Sequence, residues 1–424
     1  MKFSEYSICP ELKKNLDKLG FRRPTDIQFK SIPYILNGED LLAIAQTGTG
    51  KTAAYGIPII HKLHTWKEKS RRKDGIKCLV MVPTHELAIQ VTEVLNELAR
   101  HTLVKTICIF GGVDQDPQIA LLDKGADILV TTPGRMFDLR SQGYLDLHRV
   151  ETLVLDEADH MLDKGFIKDI QDVLSYLPKR RQTLFFSATI DKEIKKLAYS
   201  LVQSNAIRIQ IAPKNPVAKN VYHKVGFIEM DDKRYFLERL YREQKHSKIL
   251  VFVRTKVRAE RLLKAMERVD IFGRTLHGDK SQTDRSSALN DFKEGKIRLL
   301  IATDISARGV DIAMVEYVVN YDMPEQAENY VHRVGRTGRG NHKGNAISFC
   351  STEEVELLKE IEFYIGGSIE VLNIDKVDLA DTLDFTKDTK GLDWQKLIAE
   401  ELKQIETEAK LYGKKPSKKK KKRR

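Results

Sequence analysis

The sequence lacks most of the features that mark secreted, membrane-spanning or metal-stabilised proteins. It has four cysteines in 424 residues, Cys9, Cys78, Cys108 and Cys350, and no two of them form a CxxC pair. This spacing predicts neither a disulfide framework nor a zinc site and favours a reducing compartment. No apolar run approaches the roughly 18 residues of a membrane span, and none follows Lys2 as in a signal peptide. We therefore expect a cytoplasmic protein without membrane association.

A large excess of charge is also missing from most of the chain. The net charge is +12, but residues 414–424 carry nine lysines and arginines, so the other residues carry only 12 − 9 = +3. The global charge therefore says little about a folded surface. Any prediction of nucleic-acid binding has to come from local motifs.

Short β-branched segments alternate with longer helical segments in two series, which is typical of α/β proteins with parallel sheets. Six strands are predicted in the first series and five in the second, and polar clusters follow most of them. Ligands of such sheets bind beyond the carboxyl ends of the strands. We predict two domains at 1–206 and 221–378, a proline-containing linker at 207–220, and a polar extension with a disordered basic end at 379–424.

A glycine-rich segment after the first predicted strand is typical of a phosphate-binding loop. Its members are Ala45, Gln46, Thr47, Gly48, Thr49, Gly50, Lys51 and Thr52. Glycines let backbone N–H groups turn toward phosphates at the start of a helix. Lys51 could reach the β- and γ-phosphates of a nucleotide, and the Thr52 hydroxyl could bind Mg²⁺. Ala45 stands where the general pattern has its first glycine.

Two carboxylates follow a later apolar strand, in the segment LVLDEAD. Asp156 would hold Mg²⁺, directly or through a water molecule, and Glu157 would orient and deprotonate the attacking water. On its own such a pair is usually a solvated strand end. After a phosphate-binding loop, it indicates a catalytic site.

These residues resemble the DEAD-box RNA helicases of superfamily 2, whose name is spelled by residues 156–159. The resemblance extends over roughly residues 1–375. It implies two tandem RecA-like domains, ATP and Mg²⁺ as cofactors, and RNA-stimulated ATP hydrolysis that remodels RNA. Within the family, the short core looks bacterial and close to the RhlE-like branch.

The family's Q motif has a counterpart near the start of the chain, which includes Phe21, Arg23 and Gln28. The resemblance implies that Gln28 hydrogen-bonds the edge of adenine while Phe21 packs near its ring. Such edge reading explains a preference for ATP, because another base would leave buried polar groups unpaired.

The second domain contains segments similar to the family's fifth and sixth motifs. The resemblance makes Arg336 and Arg339 arginine fingers for the γ-phosphate and places Asp311 on the ribose. These groups lie in a different domain from Lys51 and Glu157, so they can act only when the domains close. An arginine finger accelerates hydrolysis by about 10³–10⁵-fold.

Three further residues resemble the family's coupling elements between ATP and RNA. Ser187 and Thr189 belong to the SAT motif, and His332 would join the polar network between the domains.

RNA contacts are implied by motifs with hydroxyls, small residues and a few arginines, which suit the sugar–phosphate backbone. The expected residues are Pro83, Thr84, Gly111, Gly112, Thr132 and Arg135 in the first domain, and Arg254, Thr255, Gln282, Arg285 and Thr303 in the second. No aromatic platform for bases is evident, so we expect binding that is largely independent of sequence.

One residue departs from the family pattern where it matters: His85 replaces the usual arginine of the PTRELA motif. Imidazole need not carry charge and lacks the planar donor fork of a guanidinium. We hypothesise that one RNA or interdomain contact is weakened.

The basic end supports three interpretations, a solvated terminus, a nuclear-import signal and a non-specific RNA anchor, of which the anchor fits best. For the whole chain, an RNA helicase has one main alternative, an ATP-gated RNA clamp that unwinds little. A DNA helicase fits less well, because of the Q motif and the DEAD tetrad. We expect a monomer.

Overall fold

The computed structural model describes residues 2–46, 48–70, 75–189, 192–211, 220–307, 310, 312, 315–338 and 343–372. Within these ranges the chain forms two lobes, each with a seven-stranded parallel sheet. This confirms the predicted α/β architecture. None of the described helices is long and apolar enough to cross a bilayer.

The sheet of the first lobe has the strand order β3-β4-β2-β5-β6-β1-β7. Its strands are β1 Leu41–Ile44, β2 Cys78–Met81, β3 Thr106–Ile109, β4 Ile128–Thr131, β5 Thr152–Leu155, β6 Gln182–Ser187 and β7 Ile207–Gln210. The helices are α1 Pro10–Lys18, α2 Asp26–Leu36, α3 Lys51–Lys69, α4 His85–Leu98, α5 Asp116–Asp123, α6 Pro133–Ser141, α7 Ala158–Asp163, α8 Ile167–Tyr176 and α9 Lys192–Leu201. A 3₁₀ helix at Phe3–Glu5 precedes them.

The second lobe has the strand order β10-β11-β9-β12-β13-β8-β14. Its strands are β8 Val221–Phe227, β9 Ile249–Phe252, β10 Gly273–Leu276, β11 Leu299–Ala302, β12 Tyr317–Asn320, β13 Gly344–Cys350 and β14 Glu370–Val371. The helices are α10 Lys233–Glu243, α11 Lys256–Glu267, α12 Gln282–Lys293, α13 Asp304–Ala307, α14 Ala327–Val334 and α15 Val355–Ile365, with a 3₁₀ helix at Thr352–Glu354.

The central strands are apolar throughout because helices cover both faces of each sheet. In β1, Leu41 and Ala43 pack into the core on one face, and Leu42 and Ile44 pack into the core on the other. This two-sided burial fixes each strand, so the residues just after its carboxyl end are held at one edge of the sheet.

The predicted linker at 207–220 differs from the structure at its start. Ile207–Gln210 forms β7 and pairs in parallel with β1. Ile209 is buried while Arg208 and Gln210 are exposed, an alternation that suits an edge strand. The first lobe therefore extends to this strand, and residues 212–219 lie outside the described ranges.

Two strands of the second lobe, β8 and β14, were also not predicted. β8 pairs with β13 over seven residues, although only Val221, Val225 and Gly226 of it are buried. Polar side chains in a strand covered on one face hide the apolar pattern. The predicted extension at 379–424, with its basic end, lies outside the described residues.

Candidate active site

The phosphate-binding loop connects β1 to α3, as the sequence predicted. Gly48 and Gly50 have φ values of 80° and 89°, a left-handed conformation that glycine adopts without steric cost. The Thr49 hydroxyl donates to the carbonyl of Gln46 at 2.7 Å and closes the turn. Ala45 is anchored because its N–H donates to Ser187 of β6 at 2.9 Å.

Residues of the Q motif form hydrogen bonds with this loop. The Gln28 amide donates to the Gly50 carbonyl at 3.2 Å and accepts from the Thr25 N–H at 3.0 Å. The Thr25 hydroxyl donates to the Thr49 carbonyl at 2.8 Å. An amide side chain has two donors and two acceptor lone pairs, so Gln28 keeps one of each for a further partner. Its contact with adenine stays a prediction.

The remaining Q-motif predictions concern Phe21 and Arg23. Phe21 packs edge-on against Phe3 with ring centroids 5.9 Å apart. Arg23 is exposed just before α2. The adenine contacts implied for both stay predictions.

Lys51 is buried beside the acidic residues of the site. It begins α3, is only 6% exposed, and its ammonium group has no hydrogen-bond partner among the described residues. Asp156, Glu157 and Asp159 lie close enough for the Lys51 charge to oppose the effect of burial on the pKa of each carboxyl. The ammonium could therefore donate hydrogen bonds to nucleotide phosphates at this helix start. Thr52 follows in the same turn and its hydroxyl lies beside the Tyr55 phenol.

Asp156 ends the apolar strand β5 and is 2% exposed. Tyr55 donates to its Oδ2 at 3.0 Å, and the Glu157 N–H donates to its Oδ1 at 3.0 Å. Burial raises the pKa of this carboxyl, and the Lys51 ammonium counteracts that rise. The oxygen donors of Asp156 and Thr52 suit a hard cation such as Mg²⁺.

Glu157 is held in an uncommon backbone conformation with φ 53° and ψ 50°. Such left-handed geometry is unfavourable for a residue with a Cβ and clusters at functional sites. Burial alone would raise the pKa of its carboxyl, but His160 above all, together with Lys51 and Arg336, lowers that pKa to about 2. His160 Nδ1 lies 2.9 Å from Glu157 Oε2. The carboxylate is therefore ionised and positioned.

Asp159 joins the catalytic segment to the predicted coupling motif. Its Oδ2 accepts from the Ala188 N–H at 2.9 Å and from the Thr189 N–H at 3.0 Å. The Thr189 hydroxyl adds a contact at 3.3 Å. Ser187, at the end of β6, is fully buried, and its hydroxyl has no partner among the described residues. Asp159 had no predicted role of its own.

The second lobe reaches this site through α14 and the turn that follows it. The His160 and His332 rings meet edge-to-face with centroids 5.4 Å apart. Arg336 is 4% exposed, donates to the Val310 carbonyl, and lies close enough to lower the pKa of Glu157. The structure thus brings Lys51, Glu157 and Arg336 together across the cleft.

Arg333 is an important residue that sequence reasoning missed. Its guanidinium forms a bidentate pair with Asp304 at 2.5 and 2.7 Å and also donates to the Asp322 carbonyl at 2.7 Å. These bonds tie α14 to the fifth motif and so aim Arg336. The sequence feature that could have indicated it is an arginine three residues before Arg336, at the end of the helix that precedes that residue.

The RNA-contact residues predicted in the first lobe lie together after the carboxyl ends of their strands. Thr84 caps α4 by accepting from the Leu87 N–H at 3.2 Å, and Pro83 accepts from Lys164 at 3.1 Å. The others are Gly111 and Gly112 after β3, Thr132 at the start of α6, and Arg135, which donates to the Val113 carbonyl at 2.7 Å. Their RNA contacts stay predictions.

In the second lobe, Arg254 and Thr255 are exposed after β9, and Thr255 caps α11 by accepting from the Arg258 N–H at 3.2 Å. Thr303 follows β11, and its hydroxyl donates to Ser306 at 3.3 Å. Each of these residues lies beyond a strand end, as predicted.

Gln282 and Arg285 were predicted to contact RNA, but the structure engages both in contacts between the lobes. Arg285 Nε donates to Glu86 Oε1 at 2.7 Å. Gln282 Oε1 lies 3.2 Å from His85 Nδ1, and Gln282 Nε2 lies 3.4 Å from Glu86. His85 therefore makes a contact between the lobes, at the position where the family has arginine. Glu86, which had no predicted role of its own, is the partner of both.

Three predicted residues, Thr47, Asp311 and Arg339, lie outside the described residues. The structure therefore leaves the ribose contact of Asp311 and the second arginine finger as predictions.

Comparison with known proteins covers both lobes. A family model described as DEAD/DEAH box helicase matches residues 25–197, and one described as helicase conserved C-terminal domain matches residues 232–341. The chain is 42% identical over 363 residues to ATP-dependent RNA helicase CshA of Listeria monocytogenes, across 85% of this chain and 68% of that protein. It is 40% identical over 385 residues to ATP-dependent RNA helicase RhlB of Shewanella frigidimarina, across 90% and 88%.

A solved structure of S. cerevisiae Dbp5 bound to RNA and ADP BeF3 has a TM-score of 0.78 to this chain. The two are 30% identical, and the match covers 90% of this chain and 99% of the other. The likeness extends over both lobes.

Proposed function

We propose, from the premise that this chain belongs to the DEAD-box family of ATP-dependent RNA helicases, that it melts short RNA duplexes by closing its two lobes over one strand. The observation that supports this proposal is that the charged groups of the active site come from both lobes. Lys51 and Glu157 lie on the first lobe, and Arg336 reaches them from the second. Hydrolysis then depends on the lobes being together.

ATP would enter with its phosphates on the loop at residues 45–52. The buried ammonium of Lys51 would donate hydrogen bonds to the β- and γ-phosphates. Glu157 would hold the attacking water and accept its proton. The arriving phosphates are negatively charged, so they raise the pKa of Glu157 from its low value and make it a better base.

Arg336 would neutralise the negative charge that develops on the transferred phosphoryl group. A guanidinium in this role contributes about 10³–10⁵ in rate. Arg333 is a positioning residue here, because its bidentate pair with Asp304 fixes the helix that precedes Arg336.

The residues present fit Mg²⁺ as the metal of the site. Thr52 and Asp156 would hold it, and the bound metal would neutralise phosphate charge. The buried oxygen donors of Asp156, one of them turned toward α3 by Tyr55, support this assignment.

RNA would lie along the strand ends of both lobes, held mainly through its backbone. Hydroxyl, glycine and arginine side chains at those ends support binding that is independent of sequence. Asp159 would couple the two ligands, because its carboxylate joins the catalytic segment to Ala188 and Thr189. The basic residues 414–424 would act as an auxiliary RNA anchor, with a salt slope of at most about −6 for single strands.

The relatives described above are named CshA and RhlB, not after the RhlE-like branch that the sequence predicted. We therefore assign the chain to the family and leave its branch a proposal. A monomer in the cytoplasm remains our working proposal.

A strand-displacement assay distinguishes a helicase from an ATP-gated clamp. A short RNA duplex with a single-stranded extension would be incubated with the full chain and ATP, with a DNA duplex of equal length as control. A helicase releases the RNA strand at a rate that follows ATP hydrolysis, and RNA stimulates its ATPase more than DNA does. Stable ATP-dependent retention of RNA without strand release would favour the clamp and contradict the proposal.

A further inference from the structure

The first lobe contains a cavity at the edge of its sheet opposite the ATP site. Cys78, Thr152 and Gln182, which line it, are the first residues of β2, β5 and β6. The phosphate-binding loop and Asp156 follow the other ends of their strands. The cavity has a volume of about 780 Å³, within the range of small-molecule sites. It is thus a concave site distinct from the nucleotide cleft.

The lining of this cavity is strongly basic. Lys62, Lys77, Arg180 and Arg181 contribute four cations, and Glu151 is the one carboxylate among the lining residues. Lys77 pairs with Glu151 at 2.8 Å. Three positive charges therefore remain without a carboxylate in the wall itself.

Two of these cations are partly buried, and their hydrogen-bond partners among the described residues are neutral. Lys62 Nζ donates to Gln182 Oε1 at 3.1 Å and to the Ile35 carbonyl at 3.4 Å. Burial lowers the pKa of Lys62. Arg181 Nη1 donates to the Pro178 carbonyl at 2.9 Å, while its buried Nε has no partner among the described residues. Glu151 acts on Lys62 and Asp40 acts on Arg181 through their charges, but neither carboxylate is hydrogen-bonded to that cation. The wall keeps an excess of positive charge, which suits an anion.

An aromatic wall completes the cavity. Trp66, near the end of α3, lines it, and the Lys77 ammonium lies 5.0 Å from the centre of its indole ring. Guanidinium and ammonium groups bind phosphate with charge-assisted hydrogen bonds. An indole offers a flat apolar surface for stacking.

We propose that this cavity is a second ligand site, which binds a phosphate-bearing small molecule with a planar ring, the chemistry of a nucleotide. The phosphate lies between Lys62 and Arg181, and the ring packs on Trp66. Its concave shape and size favour a small molecule over an extended acidic peptide, which needs an open groove.

Trp66 provides a direct reporter, because the sequence has only two tryptophans, Trp66 and Trp394. In a Trp394→Phe full-length background, guanosine monophosphate is titrated while indole emission is recorded. We expect saturable quenching. Lys62→Gln and Arg181→Gln should each weaken binding about tenfold, the effect of losing one charged hydrogen bond. Exposed Arg180→Gln, which leaves the interior unchanged, should weaken it by a smaller factor.

Two controls make the result specific. Lys51→Ala should leave the titration unchanged, because Lys51 belongs to the other nucleotide site. Lys168→Gln removes an exposed cation of the same lobe that does not line the cavity and should also have no effect. Any of three results would overturn the proposal. The first is that the Lys62, Arg180 and Arg181 variants bind guanosine monophosphate as tightly as the Trp394→Phe parent does. The other two are quenching that does not saturate, and binding of hexa-aspartate but not of guanosine monophosphate.

Discussion

At the nucleotide side of the cleft, Lys51 is buried with no hydrogen-bond partner among the described residues, and Glu157 is fixed in a left-handed conformation. Away from it, Arg285 and Glu86 join the lobes at 2.7 Å with most of their surface buried. In the first region the Lys51 ammonium can donate hydrogen bonds to a phosphate, whereas in the second region the two charges are hydrogen-bonded to each other. The Glu86–Arg285 pair holds the two lobes together, whereas the nucleotide site becomes active only when ATP binds between them.

The contrast between the two regions depends most strongly on Arg336 being part of the active centre. Arg336→Ala should lower RNA-stimulated kcat by about 10³-fold or more, because no other described group of the second lobe replaces its charge. ATP turnover at saturating RNA measures this. Arg336→Lys should recover only a small part, since an ammonium lacks the planar donor fork. Near-normal turnover in Arg336→Ala would refute the role.

Replacing the general base Glu157 tests the nucleotide site from the first lobe. Glu157→Gln keeps the size of the side chain but cannot accept a proton, so kcat should fall by about 10²–10⁴-fold. Binding of a fluorescent ATP analogue should persist. Because the pKa of Glu157 is lowered to about 2 before ATP binds, its carboxylate is ionised at neutral pH in the nucleotide-free protein. Bound phosphates would raise that pKa, so an acid limb of kcat is expected at a pH above about 2.

The Glu86–Arg285 pair should affect RNA engagement and leave the chemical step alone. Glu86→Gln or Arg285→Gln leaves a buried charge unpaired, a loss of about 2–5 kcal/mol in comparable interfaces. The RNA concentration for half-maximal ATPase should rise by roughly 30-fold or more. The double variant should lose less than the sum of the single losses, and strict additivity would mean that the two residues do not act as a pair.

The smallest effect concerns His85. Burial lowers the pKa of His85, while Gln282 and Glu86 counteract that shift and Lys164 and Arg285 reinforce it. A lowered pKa in the closed form means that closure is favoured fully above the ordinary value of 6.5 and weakens as pH falls through the folded pKa. RNA affinity at pH 5.5 should thus be a few-fold below that at pH 8. His85→Arg should bind more tightly and lose this pH dependence, and identical profiles would contradict the assignment.

Motif order predicted much of this architecture, because parallel strands place the residues after their ends at one edge. The loop at residues 45–52 and the carboxylates Asp156 and Glu157 follow from that rule. β7 was missed because two prolines farther along suggested a linker, although Ile207 and Ile209 alternate as in a strand. β8 was missed because only one of its faces is covered.

Contacts between the lobes were harder to predict. Glu86 and Arg285 lie in separate domains, and no local pattern indicates that they meet. The roles of Asp159 and Arg333 were hard to predict for the same reason, since each acts through a partner that is distant in the sequence. Lys62 and Arg181 were also not predicted to form a site, because the burial of a charged side chain is not evident from the sequence alone.

Energy transfer between the lobes tests the central claim most directly. Dyes would be placed on cysteines introduced at the exposed positions Lys168 and Lys359 in a Cys108→Ala background, because the other native cysteines are buried. We predict that transfer efficiency shifts to the closed value only when RNA and ADP–beryllium fluoride are present together, and that Arg336→Ala reduces this shift. A closed value that is the same with and without either ligand would contradict the account.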